Sequence, residues 1–180
     1  MNQSNKSELF NKSGRKRYMN PDAPQKVIQY ITRYDRPDDD LIAWGGIGVV
    51  ESLGVPAVIG QFRHVQNHYM RGGSFGRYID HEVFSFSHRD EQMIYESGIS
   101  LDHLARRMAQ DFYDTDHCQV VYGIHRPEGR EKHLHIHFAV NTVSFMDEKK
   151  RRENRSQTKA RSERFQKILA DEIHKSTYLF

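Results

Sequence analysis

The sequence predicts an α+β protein, with helices packed on the faces of a central antiparallel β-sheet. Two observations support this fold class. Segments with strand alternation are mixed with segments of helical periodicity along the 180 residues. Two strand-like segments, 119–125 and 133–141, are separated only by a turn-like link, and such short links join antiparallel neighbours. The chain is long enough to bury a sizeable core, so we expect a single domain over 21–180.

Helical periodicity predicts four helices after an amino-terminal arm. Residues 1–20 are polar and basic, and we expect them to form a flexible arm. The first helix begins near Ala23, where Asp22 can cap it and Pro24 suits a first turn. It ends at Arg36, before a proline. The other three helices cover 56–70, 101–113 and 156–175.

Alternation of apolar and polar residues predicts the strands. Residues 82–88 and 119–125 have the pattern of half-buried or buried strands. The G-G-I-G segment at 45–48 lacks the G-x-G-x-x-G spacing of a dinucleotide-binding loop, and we interpret it as a turn. The segment K-H-L-H-I-H-F-A-V-N at 132–141 is the most informative strand. One of its faces is wholly apolar, and the other carries His133, His135, His137 and Asn141.

Composition excludes several classes of protein. The single cysteine, Cys118, rules out an internal disulfide and a cysteine metal cage. The longest apolar stretch, 41–50, is too short to span a bilayer. We therefore expect a cytoplasmic protein with no membrane partner. Net charge is only +3, but residues 149–167 hold nine lysines and arginines against two acids. This basic stretch suits a polyphosphate partner, although a solvated helix face has the same pattern.

The alternating histidines indicate a metal site. His125 ends one predicted strand, and His135 and His137 lie on the next, so an antiparallel pair of strands brings the three imidazoles together. Three neutral ligands leave the charge of a divalent ion available to an anionic substrate, and they leave coordination positions open. His133 is an alternative ligand or a residue that supports the ligands. The competing interpretation is a row of unconnected surface histidines.

A metal site that acts on a phosphodiester also needs a nucleophile. Tyr30, in K-V-I-Q-Y-I-T-R, is the best candidate on the first helix, and Tyr34 follows one turn later. Arg33 and Arg36 lie beside Tyr30 and could bind phosphate. The alternative is that Tyr30 is a core aromatic residue.

Four segments together resemble a known family: Q-Y-I-T-R, S-F-S, V-V-Y-G-I-H and H-L-H-I-H-F-A-V-N-T-V. They are similar to the relaxase domain of conjugative and mobilisable elements, and more narrowly to the MOBP group of the HUH endonucleases. The resemblance implies Tyr30 as the nucleophile, His135 and His137 as metal ligands, and His125 as the third ligand. Asn141 matches the asparagine that follows the H-x-H pair in the family.

The chain departs from the family after His125, where an acid is often found two residues later. Here the acids are displaced to Glu128 and Glu131, and either is a candidate to orient a ligand histidine, as Asn141 is. The resemblance implies Mg²⁺ or Mn²⁺ as cofactor. The DNA backbone would be bound by Arg33, Arg36, Lys149, Lys150, Arg151, Arg152 and Arg155.

The function implied is nicking and rejoining of one DNA strand at a transfer origin through a 5′-phosphotyrosine link. Expected partners are single-stranded DNA, relaxosome accessory proteins and a coupling protein. Three alternatives stay open. They are another HUH nuclease (a rolling-circle replication initiator or a single-tyrosine transposase), a histidine-ligated metal hydrolase, and a DNA-binding module without catalysis.

Overall fold

A computed structural model describes residues 6–12, 16–36, 40–69, 76–127 and 133–177. Within these residues, five strands form one sheet in the order β1-β3-β5-β4-β2, and every neighbouring pair is antiparallel. The strands are β1 (Glu8–Asn11), β2 (Leu41–Ile47), β3 (Ile79–Ser85), β4 (Cys118–His125) and β5 (His135–Ser144). The histidine strand β5 is therefore central, and both of its neighbours pair with it along most of their length.

In the described part of the chain, five α-helices cover the two faces of the sheet, which confirms the predicted fold class. They are α1 (Ala23–Ile31), α2 (Val55–Tyr69), α3 (His88–Ser97), α4 (Leu101–Asp116) and α5 (Arg155–Thr177). Short 3-10 turns lie at Lys16–Met19 and Glu51–Leu53. No helix in the described part of the chain has the length and apolar character needed to cross a membrane.

The sheet separates two hydrophobic clusters. On one face, aromatic side chains from the sheet, α4 and α5 pack together, and Phe112, Phe138 and Phe165 lie with ring centroids 5.3–5.6 Å apart. On the other face, α1 and α2 contribute Ile28, Ile31 and Phe62 to a smaller cluster. The apolar face of β5 belongs to the first cluster, and its histidine face lies on the side that α1 covers only in part.

The structure differs from the sequence expectations at several elements, and helix α1 ends at Ile31 and not at Arg36. Parts of the expected flexible arm belong to the fold, because residues 8–11 form the edge strand β1 and Tyr18 is fully buried. The glycines at 45–46 lie within strand β2 and do not form a turn, since the missing side chain at Gly45 leaves room for the Tyr122 hydroxyl. Helix α3 was not predicted. Ser87 caps it by accepting a hydrogen bond from the Asp90 amide at 3.2 Å.

A buried arginine anchors the segment that follows β5. The Arg151 guanidinium donates to Asp80 at 2.6 Å, to Glu82 at 2.8 Å and to Asp116 at 2.6 Å, and it also pairs with Glu153. Its side chain is only 2% exposed. Burial and the nearby Glu153 carboxylate raise the pKa of Glu82 to about 8. Arg151 thus compensates a group of acids that the aromatic cluster would otherwise exclude.

Gly123 allows helix α1 to end directly against strand β4. A Cβ atom at this position would overlap the carbonyl oxygen of Ile31, the last residue of α1. The chain then leaves the helix through Arg33, which has a left-handed φ of 52°. The Arg33 and Tyr34 amides donate back to the Tyr30 and Gln29 carbonyls, which is the Schellman pattern of a helix end. The position of α1 over the sheet therefore depends on a glycine in β4.

Replacing Arg151 by methionine should lower the free energy of unfolding by about 3–5 kcal/mol, because Asp80 and Glu82 lose their buried counter-charge. Urea unfolding measures the change. Arg152→Met is the matched control, since Arg152 is exposed, and its effect should stay within about 0.5 kcal/mol. Equal effects of the two substitutions would contradict the role given to Arg151.

Replacing Gly123 by alanine should destabilise the fold by about 1–3 kcal/mol, because the new methyl group forces the end of α1 away from β4. Gly60→Ala is the control. Gly60 is exposed within α2, and nothing lies near its absent side chain, so alanine there should stabilise the protein by up to about 1 kcal/mol. Thermal unfolding of both variants distinguishes a close-approach glycine from a merely flexible one.

Candidate active site

Three histidines of the central strands converge on one face of the sheet. Register pairs His125 with His135 and Gly123 with His137, and paired residues share a face. One ring nitrogen of each of His125, His135 and His137 lies within 4.8 Å of the corresponding nitrogens of the other two. All three side chains are buried. The hairpin expected from the sequence therefore brings these residues together in space.

His137 is held by a chain of hydrogen-bonding groups on its far side. Its Nδ1 lies 2.9 Å from Nε2 of His81, and Nδ1 of His81 lies 3.1 Å from the Tyr18 hydroxyl. Its Nε2 is buried and has no hydrogen-bond partner within the described residues. When the proton of His137 is on Nδ1, Nε2 presents a lone pair to the histidine cluster. This unsatisfied nitrogen fits a metal ligand.

His125 is fixed by both the helix end and an ion pair. Its Nε2 donates to the Ile31 carbonyl at 2.8 Å, and Arg33 Nη2 lies 3.2 Å from its Nδ1. Arg33 also donates from Nε to Asp40 at 2.9 Å, and the Asp40 carboxylate lies 3.6 Å from Nδ1 of His125. Coordination of an ion by His125 requires this ring to exchange one of its two contacts for the metal. The hydrogen bond from Arg33 lowers the pKa of Asp40.

Burial keeps His125 and His137 in the form that binds metal ions. It lowers the pKa of His125 to about 4, an effect to which the nearby Arg33 charge adds. It also lowers the pKa of His137 well below the usual value, and the neighbouring histidines act in the same direction. Both rings are therefore neutral at neutral pH, and a neutral imidazole is the form that coordinates a divalent ion.

His133 lies outside this cluster. Its backbone carbonyl accepts a hydrogen bond from Nδ1 of His135 at 2.9 Å, which orients that ring. Its own side chain faces His88, with ring centroids 4.4 Å apart. The geometry thus favours His137 over His133 as the third member of the cluster.

Tyr30 lies directly over the cluster. The centroid of its ring is 5.4 Å from that of His137 and 6.3 Å from that of His125. The residue is 49% exposed, so Tyr30 borders both the histidines and solvent. The Arg33 guanidinium carbon lies 4.9 Å from its centroid. Tyr34 is equally exposed, but it follows the end of α1, and no ring contact joins it to the histidines within the described residues.

The predicted DNA-binding residues other than Arg33 differ in their exposure and contacts. Arg36 is exposed and lines a cavity of about 290 Å³ beside Tyr30. Lys149, Arg152 and Arg155 are exposed. The Lys150 ammonium donates to the Arg77 carbonyl, and burial lowers its pKa to about 8. Glu128 and Glu131 lie outside the described residues.

The structure corrects two expectations, one about Arg151 and one about Asn141. Arg151 cannot contact a DNA backbone, because its side chain is enclosed by the carboxylates described above. Asn141 does not support the histidines, since it lies four residues from His137, or roughly 13 Å along the strand. Instead its amide donates to Phe62 and Gln119 and accepts from Gln66, which fastens α2 to the sheet.

Comparison with known proteins identifies the family. A family model described as the MobA/VirD2-like relaxase, nuclease domain, matches residues 30–174. The chain belongs to this relaxase family. It is therefore a DNA relaxase, an enzyme of the nuclease class, which confirms the resemblance drawn from the sequence. No curated protein matches the chain.

Solved structures of a conjugative relaxase are similar to this chain. The conjugative relaxase TrwC in a metal-bound complex with oriT DNA has a TM-score of 0.52 and 13% sequence identity, covering 96% of this chain and 69% of that one. A copper-bound TrwC complex with oriT DNA has a TM-score of 0.48 and 11% identity, with 96% and 70% covered. At this identity, the first of these likenesses supports the sheet and helix arrangement.

Two residues beside the histidine cluster, His81 and Asp40, are absent from the sequence predictions. His81 precedes the strand predicted over 82–88, and alternation counted back from Val83 places it on the same face as His137. Asp40 directly precedes β2, a strand that was not predicted because its glycines indicate a turn. Leu41 pairs with His125, and this pairing places the neighbouring Asp40 beside the cluster. Extending the alternation one step back would have found His81, whereas Asp40 had no comparable local signal.

The stability of the metal-free relaxase should fall as pH is lowered from about 6.5 to about 4. The pKa of His125 is about 4 in the folded protein and near 6.5 when unfolded, so the unfolded state binds more protons in this window. The loss is up to about 1.4 kcal/mol per pH unit for each such histidine. Urea unfolding in the presence of a chelator should show a smaller slope in His125→Asn and an unchanged slope in His64→Asn, an exposed position on α2.

Proposed function

We propose that this relaxase nicks and rejoins one strand of plasmid or integrative-element DNA at a transfer origin, with Tyr30 as the nucleophile. The observation that carries the proposal is the position of Tyr30, half exposed and 5.4 Å from the ring of His137. A nucleophile and a three-histidine cluster on one surface suit attack on a phosphodiester that both groups contact.

The proposed reaction is a transesterification. The Tyr30 hydroxyl oxygen attacks the scissile phosphorus, a tyrosyl–phosphate bond forms, and the phosphorus–oxygen bond to the 3′ oxygen breaks. The phenolic proton leaves Tyr30, and the 3′ oxygen takes up a proton to become a free hydroxyl. The 5′-phosphotyrosine link conserves the ester, so attack by a 3′ hydroxyl rejoins the strand without a nucleotide cofactor.

His125, His135 and His137 would hold a divalent cation, for which Mn²⁺ or Mg²⁺ is proposed. Such an ion, when bound, supplies positive charge to the scissile phosphate. Imidazole ligands suit Mn²⁺ better than Mg²⁺, which prefers oxygen. The chain itself contributes the orientation of these ligands through His81, Ile31 and the His133 carbonyl. It also places the Arg33 charge beside the Tyr30 ring.

Two cavities that share Tyr30 and Lys26 in their linings suggest the path of the single strand. One has a volume of about 380 Å³ and includes Lys12 and Lys26 in its lining. The other, of about 290 Å³, is bordered by Arg33 and Arg36. A strand crossing Tyr30 would place phosphates against basic side chains before and after the scissile bond, so binding should weaken with salt.

A second set of basic residues would contact DNA farther from the scissile phosphate. Lys150 pairs with Val143 at the end of β5, roughly 20 Å along the strand from His137. Exposed Lys149, Arg152 and Arg155 lie in the segment that contains it. The proposed setting is the cytoplasm, with accessory and coupling proteins acting on the same DNA.

The test is a denaturing gel of the relaxase incubated with Mn²⁺ and labelled single-stranded DNA that carries the element's transfer origin. Wild type should form a protein–DNA adduct that survives denaturation, and Tyr30→Phe should lose it. Tyr34→Phe is the matched control and should keep the adduct, because Tyr34 lies beyond the helix end. A chelator should abolish the reaction.

Two results would contradict this proposal. An adduct that persists in Tyr30→Phe would move the nucleophile to another residue. Cleavage without any adduct would indicate a metal-activated water and therefore a hydrolase mechanism on the same histidines.

A further inference from the structure

A second group of metal-ligating side chains lies apart from the histidine cluster. His88 and Glu91 occupy the first turns of α3, and His133 lies just before β5. One ligand atom of each residue lies within 4.8 Å of the other two. The spacing of His88 and Glu91, three residues apart on a helix, places both side chains on the same side. We propose that these three residues form a second, peripheral site for a divalent transition metal ion such as Zn²⁺.

The hydrogen bonding of the His133 side chain supports its role as a metal ligand. Its Nδ1 is buried and has no hydrogen-bond partner within the described residues. The ring faces His88 with centroids 4.4 Å apart and planes inclined by 45°. A buried imidazole nitrogen without a partner is costly, and coordination of a metal ion satisfies it.

The donor set defines the class of ion. Two imidazoles and one carboxylate form a set that binds Zn²⁺ in other proteins, and three protein ligands leave one position for water. Mg²⁺ and Ca²⁺ prefer oxygen donors and would bind this set weakly. His88 is exposed, so an ion can reach the site from solvent without passing through the main cluster.

The site is connected to the main cluster through His133. The carbonyl of His133 accepts the hydrogen bond from Nδ1 of His135. An ion that holds the His133 side chain therefore also holds the group that orients His135. Peripheral binding would stabilise the start of β5, whether or not Tyr30 acts as a nucleophile.

Equilibrium dialysis of the full chain against Zn²⁺, followed by measurement of bound metal by mass spectrometry, tests the proposal. His88→Ala and Glu91→Gln should each hold one equivalent of Zn²⁺ fewer than wild type. His64→Ala and Glu96→Gln are matched controls at exposed helical positions, and both should hold the wild-type amount. The difference between variants is decisive whatever the occupancy of the main cluster.

Thermal unfolding provides a second readout that does not depend on activity. An ion that binds only the folded state raises the unfolding temperature, so added Zn²⁺ should raise it less in His88→Ala than in His64→Ala. Equal zinc stoichiometry in wild type, His88→Ala and Glu91→Gln would overturn the proposal. A stoichiometry that falls equally in the controls would also overturn it, since the loss would then not be specific to these residues.

Discussion

The contact between the end of helix α1 and strand β4 is the constraint on which the site depends. Gly123 leaves no side chain in the way, so the Ile31 carbonyl reaches the sheet and accepts a hydrogen bond from His125. Tyr30 precedes Ile31 and is thereby placed above His137. A single glycine thus sets the distance between the proposed nucleophile and the proposed metal ligands.

The two faces of the sheet bury different kinds of polar group. On the face toward α4 and α5, buried carboxylates are matched by Arg151 and Arg161, whose guanidinium groups also lie over the Phe112 ring. On the histidine face, burial keeps the imidazoles of His125 and His137 neutral. Neutral ligands gathered in a low-dielectric site are ready for a cation, whereas the paired charges of the opposite face are already compensated.

Local pattern was sufficient for much of the fold. Helix α2 and strand β4 lie within a few residues of their predicted ranges, because their apolar spacing agrees with their environment. Prediction failed where a long-range contact overrode the local signal. The glycines of β2 resemble a turn, yet they serve the close approach of Tyr122. Within the polar amino-terminal segment, residues 8–11 form a strand because they pair with β3.

The sequence by itself determined that β5 has one apolar and one histidine-bearing face, because side chains on a strand alternate with a period of two. It also determined the convergence of His125 with His135 and His137, since a short link between strands implies antiparallel pairing. Only the tertiary structure decided that Tyr30 and Asp40 join them and that Arg151 is buried. These residues meet through strand register and helix placement, which depend on contacts between distant parts of the chain and leave no periodic trace in the sequence.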